Sequence, residues 1–147
     1  MNSQRLILVF AFLGWGFSSI RAQSSVQNSA TVHFYQGKVF GLFSAKYRIY
    51  ADGKLLCKLG RNSHCQVVLP AGTTTFTSRP PLLSLGAQPS LTLQLQAGQQ
   101  YYVQGDAKFE LFPPNDPLIL TQVVPNSEKL DQINHAKAEE SLLTSTN

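Results

Sequence analysis

Two cysteines, three histidines and one close pair of carboxylates are the residues of this chain best suited to chemistry. Cys57 and Cys65 are its only cysteines, separated by a segment containing Gly60-Arg61-Asn62-Ser63. If that tetrapeptide is a hairpin turn centred on Arg61, the two cysteines face each other. Opposed strand positions hold Cα atoms about 4.5–5.5 Å apart, within disulfide reach. The spacing therefore predicts a cross-strand Cys57–Cys65 disulfide. The alternative is two reduced, separately buried thiols, because a one-residue slip moves one of them to the opposite face. Such a short loop would add at most about 2–3 kcal/mol in chain-entropy terms.

A zinc site asks for more. His64 sits beside Cys65 and alternates to the other face, and no four-ligand spacing appears, so no metal site is expected. His33, His64 and His135 are dispersed, and the chain has no G-x-S-x-G element and no cofactor motif. They read as solvent-facing or capping histidines. Asp106 and Glu110 lie close enough in sequence to suggest the paired carboxylates of glycosidases. Asp106 sits near an expected turn, and Glu110 alternates outward from Phe109 and Leu111. A solvated strand face explains both.

The segment over residues 37–44 is unusual for a loop. It holds Val39, Phe40, Leu42 and Phe43 around two glycines. These four either fold back as a lid on the core or form a contact surface, and the rarity of exposed apolar patches favours the lid. The Pro80-Pro81-Leu82-Leu83-Ser84-Leu85 loop poses the same choice. If both loops lie at one end of a sandwich, they form a binding rim.

The elements that must position these groups are short strands. Residues 31–35, 47–51, 54–59, 65–69, 73–77, 91–95, 101–103, 108–112 and 118–124 alternate or are rich in β-branched and aromatic residues. Asp52-Gly53 between two such runs is a two-residue hairpin signal. Pro70-Ala71-Gly72 and Ala97-Gly98 are further turns. Leu91, Leu93 and Leu95 point inward, with Thr92 and Gln94 outward. Eight or nine strands at this spacing predict an all-β fold, a small antiparallel sandwich of Ig-like or PEGA-like kind. From Ser127 a short helix can start, capped by Ser127 with Leu130 and Ile133 on one face. The polar tail after Asn134 is expected to fray.

Residues 1–22 have the three parts of a secretory signal. Arg5 supplies the charge, Leu-Ile-Leu-Val-Phe-Ala-Phe-Leu-Gly-Trp-Gly-Phe the apolar run, and Ile20-Arg21-Ala22 a small-residue exit. The run is too short to span a bilayer, which takes about 20 residues. Cleavage before Gln23 leaves a polar lead-in (23–29), a β domain (30–126) and a tail (127–147). Export would also permit disulfide formation. The signal takes Arg5 and Arg21 with it, so ten Lys and Arg remain against eight Asp and Glu, a balance of +2. With no basic run, that excludes a nucleic-acid footprint and disfavours binding to an acidic membrane.

The order of these elements carries a resemblance. An aromatic-rich first strand precedes Tyr50-Ala51-Asp52-Gly53-Lys54. Then come Leu69-Pro70-Ala71-Gly72, a Thr-rich strand, and Leu93-Gln94-Leu95-Gln96-Ala97-Gly98-Gln99-Gln100-Tyr101-Tyr102-Val103. Over residues 30–133 this resembles DUF2846, an exported bacterial domain family of unknown activity. The resemblance implies a β-sandwich-like fold in a periplasmic or secreted protein, and it supplies no catalytic residues. Many members are lipoproteins; this chain has no cysteine directly after its apolar run where a lipidated one would stand.

Together these features point to an exported envelope module that binds a partner protein or peptide without catalysis. The alternatives are an envelope-polymer hydrolase and a carrier of a small apolar ligand. An enclosed apolar cavity would favour the carrier, and converging histidine and carboxylates the hydrolase.

Overall fold

The computed structural model describes residues 28–37, 46–81, 88–108 and 118–143. The expected signal, the candidate contact residues Val39, Phe40, Leu42 and Phe43, residues 82–85 of the second apolar loop, and Glu110 lie outside the described residues. So does most of the strand expected over 108–112, whose one described residue, Lys108, is not in a strand.

The chain folds as an all-β sandwich with one short helix near the C-terminus. The strands are β1 (Ser29–Gln36), β2 (Tyr47–Ala51), β3 (Lys54–Leu59), β4 (Ser63–Pro70), β5 (Gly72–Arg79), β6 (Ser90–Leu95), β7 (Gln100–Ala107), β8 (Leu118–Val123) and β9 (Lys137–Ala138). The helix α1 (Ser127–Asn134) lies between the last two. One sheet has the order β8-β7-β1-β4-β9 and the other β3-β2-β5-β6. Most pairs are antiparallel; β1 with β7 and β4 with β9 are parallel.

Period-two alternation places the core. Val32 and Phe34 of the first sheet and Ile49, Leu56 and Phe76 of the second are fully buried. Phe34 and Phe76 meet edge to face across the two sheets, their ring centroids 5.2 Å apart. Side chains fill this interior, as a packed sandwich requires. The Asp52-Gly53 turn has φ of 47° and 82° at its two central residues, the geometry of a two-residue hairpin. Asp52 also ties the hairpin to β5. Its backbone N–H donates to the Thr75 carbonyl (2.9 Å), and its carboxylate accepts from the Thr75 N–H (3.0 Å).

The turn after β3 behaves differently from the expected hairpin. β3 pairs with β2, and β4 pairs with β1, so Gly60-Arg61-Asn62-Ser63 carries the chain from one sheet to the other. Ser63 Oγ closes this crossing by accepting from the Gly60 N–H (2.8 Å) and donating to the Gly60 carbonyl (2.7 Å). The Arg61-centred register is therefore wrong: β3 keeps β2, its partner across the Asp52-Gly53 hairpin, and β4 takes β1, a strand remote in sequence. Cys57 sits opposite Ile49, and Cys65 opposite Phe34.

The tail is also more ordered than its polarity suggests. Asn126, not Ser127, caps α1: its side-chain oxygen accepts from the Lys129 N–H at 2.9 Å. After the helix, the N–H of Lys137 donates to Asn62 (2.9 Å), that of Glu139 to His64 (2.7 Å), and that of Leu142 to Leu56 (2.7 Å). Leu143 packs on the core. Backbone hydrogen bonds, to which side-chain polarity is blind, dock this segment. No helix among the described residues is long and apolar enough to cross a membrane.

Candidate functional site

The outer face of the five-stranded sheet carries the groups of interest. On β1, Thr31, His33 and Tyr35 alternate away from the core residues Val32 and Phe34. Register sets their neighbours. Tyr35 lies between His64 on β4 and Gln104 on β7, and His33 lies between Gln66 and Tyr102. The chain leaves the β8 edge, forms α1, and rejoins the opposite edge as β9. Ile133 is buried without belonging to the sandwich core, and Lys129 holds its ammonium 5.4 Å from the Tyr35 ring centroid.

A cleft of about 660 Å³ results. It is lined by side chains from β1 (Tyr35, Gln36), β7 (Gln104, Asp106) and α1 (Lys129, Asp131), among others that include Asn62, Gln132 and His135. Its central hydrogen bonds have a direction. Tyr35 Oη donates to Gln104 Oε1 at 2.7 Å, and Gln104 Nε2 donates to Asp106 Oδ1 at 2.8 Å. Burial, reinforced by the Asp106 charge, pushes the Tyr35 hydroxyl up to about 12. The phenol therefore stays protonated and fixes the Gln104 amide. Gln36 is 4 % exposed, and its Oε1 has no hydrogen-bond partner among the described residues.

Several sequence expectations change at this site. His33 is not solvent-facing. It is half-buried and stacks on Tyr102 with centroids 4.7 Å apart and planes 10° from parallel. Burial lowers its pKa below 6.5, against the smaller raising effect of Gln100, and Nε2 has no hydrogen-bond partner among the described residues. Asp106 is the penultimate residue of β7 and joins His135 on the cleft. His135 does cap: it is the C-cap of α1, and its Nδ1 donates to the Asp131 carbonyl at 2.8 Å. His64 points away from Cys65 as alternation requires, with Nδ1 donating to the Ala136 carbonyl at 3.1 Å. Tyr35, Gln36, Gln104 and Lys129 were not legible as site residues. Their only trace in the sequence is an aromatic and a histidine on the polar side of a strand.

Cys57 and Cys65 occupy a separate place. Both are fully buried, and they meet between the two sheets as free thiols in mutual hydrogen-bonding contact. The hydrogen bond to Cys65, and then burial, push the Cys57 thiol up; the same hydrogen bond lowers Cys65. No group of three His, Cys, Asp or Glu among the described residues is arranged to hold a metal ion.

A second cleft, of about 780 Å³, opens where β4 passes to β5, and is lined by Leu56, Val68, Gly72 and Leu143 among others. It is larger but holds only Asp52 and Lys54 as charged groups. The α1 cleft is the better candidate because it gathers hydrogen-bonding groups from three separate elements. In comparisons with known proteins, no family model matches the chain, and no curated protein matches its sequence.

Proposed function

We propose that this is an exported, non-enzymatic binding module of the bacterial cell envelope, and that the α1 cleft takes an extended peptide segment of an envelope partner. The observation that carries this reading is a cleft lined by the Gln104 and Gln132 amides and by charges of both signs, Asp106, Lys129 and Asp131. Peptide backbone offers the alternating donors and acceptors that such a lining can satisfy. The signal-like residues 1–22 support export. The Asp-Gly hairpin and the strands on either side of Ala97-Gly98 support membership of the DUF2846 family.

A hydrolase is the second reading, because Asp106, Asp131 and His135 share the cleft. Against it, His135 Nδ1 is committed to a backbone carbonyl and Asp106 accepts from Gln104. An apolar-ligand carrier is disfavoured by the side-chain-filled interior.

Site-specific photocrosslinking in cells tests the choice. A photoreactive residue at Gln132 should capture one discrete protein partner, and capture should fall when Gln104→Ala is added. Equal capture from Thr92, on the outer face of the other sheet, would overturn the peptide-binding reading. Release of fragments from envelope polymer by the purified protein, abolished by Asp106→Asn, would replace it with the hydrolase.

A further inference from the structure

The two thiols lie under a seam. β3 is an edge strand of its sheet, and β4 in the other sheet is flanked only by β1 and the two-residue β9. Residues 137–143 cross from one strand to the other. Glu139 bonds the carbonyl of His64, the neighbour of Cys65, and Leu142 bonds the carbonyl of Leu56, the neighbour of Cys57. The Glu139 carboxylate is pinned by Lys46 Nζ at 2.8 Å, and Leu143 closes the far end against the core. This strap is thus fastened one residue from each cysteine. Beneath it both thiols are 0 % exposed.

We propose that Cys57 and Cys65 are a redox-active pair that closes into an inter-sheet disulfide when the C-terminal strap lifts off the seam. The pairing needs no register shift, because both side chains already point inward and touch. It differs from a hairpin disulfide in what it joins: the bond would fasten two sheets rather than two neighbouring strands. The oxidant is a disulfide donor, either glutathione disulfide or an oxidised dithiol protein. The Cys65 thiolate attacks one donor sulfur, the donor S–S bond breaks, and the departing thiolate takes up a proton. The Cys57 thiolate then attacks Cys65 sulfur, forming the new S–S bond and expelling the second donor thiolate. Two protein thiols are oxidised, and one donor disulfide is reduced to two thiols.

The strap sets the rate because a donor cannot reach a fully buried sulfur, and the strap is the most lightly held element over the pair. Its strand is two residues long and both are exposed, the pattern of a segment that opens locally before the whole protein unfolds.

The test follows thiols in the full chain, purified reduced and incubated with glutathione disulfide. Aliquots are alkylated and weighed. The expected product has no alkylated cysteine and no glutathione, and a mass lower by two hydrogens. Leu142→Pro removes the donor to Leu56 and should speed oxidation about tenfold, the effect of weakening one backbone bond that holds the closed state. A stable glutathione adduct, or two thiols that remain alkylatable at equilibrium, would overturn the pairing. Equal rates in the two proteins would overturn the gate. A wild-type measurement stands independently of whether the variant folds. Oxidation through the strap should depend only weakly on urea below the unfolding transition; a rate that tracks global unfolding from zero urea would also overturn the gate.

Discussion

The two outer faces of this sandwich handle polar groups in opposite ways. On the β3-β2-β5-β6 sheet, polar side chains satisfy one another across strands. Thr73 donates to Gln94 at 2.6 Å, the Thr75 and Thr92 hydroxyls meet at 3.0 Å, and Arg79 lies over the Tyr50 ring at 4.8 Å. That face is a closed ladder in contact with water. On the other sheet, Tyr35, His64 and Gln104 are half-buried or buried and have α1 or the tail as neighbours, and His33 is half-buried against Tyr102. A face whose polar groups pair only with one another in water is a surface; a face on which a helix gathers polar groups from several elements can hold a ligand.

If that contrast is right, losses on the covered face should far exceed losses on the open one. Deleting residues 135–147 removes three backbone bonds to the sandwich. At about 1 kcal/mol each this costs about 3 kcal/mol, measured by urea unfolding. Ile133→Ala empties the contact that seats α1 and should cost about 2 kcal/mol, the low end for a buried aliphatic truncation. The same variant should lose crosslinking from Gln132.

Tyr35→Phe probes the covered face without creating a cavity. It removes the donor to Gln104 and should cost about 1 kcal/mol. Thr75→Ala on the open ladder should cost no more than about 0.2–1 kcal/mol. A larger loss from Thr75→Ala than from Tyr35→Phe would reverse the comparison.

The smallest effect concerns pH. Burial depresses His33 below its unfolded value of 6.5. As pH falls through 6.5, the unfolded chain takes up a proton that the folded chain refuses, so stability declines. The decline ends once pH is below the folded-state pKa. His33→Phe keeps a ring against Tyr102 and should flatten the fall in melting temperature between pH 7.5 and 5.5. An unchanged slope would mean that His33 contributes nothing to it.

How much of this was readable in advance depended on the range of the interaction. The Asp52-Gly53 hairpin, the inward Leu93 and Leu95 and the helix near Ser127 follow from adjacent residues, and all appear in the structure. The cap position moved by one residue because Ser127 and Asn126 are both competent caps, and only the backbone geometry selects between them. The α1 cleft was illegible because its lining comes from β1, β7 and α1, and no local pattern links Tyr35 to Gln104 or Lys129.

The cysteine pair marks the boundary most clearly. Alternation by itself places Cys65 inward with Ser63, Val67 and Leu69, whether or not its strand shares a sheet with β3; in β3 the adjacent Leu56 and Cys57 are both buried, so the face of Cys57 was not fixed by alternation. Period two is a property of the extended backbone and needs no partner. The Asp52-Gly53 hairpin already implied β2 as the partner of the Cys57 strand, but the partner of the Cys65 strand was decided only in the tertiary structure, where β1 supplies it and the turn at Arg61 becomes a crossing between sheets. The physical reason is that strand pairing is completed by hydrogen bonds from residues distant in sequence. The local turn constrains the direction of the chain but not the sheet it joins.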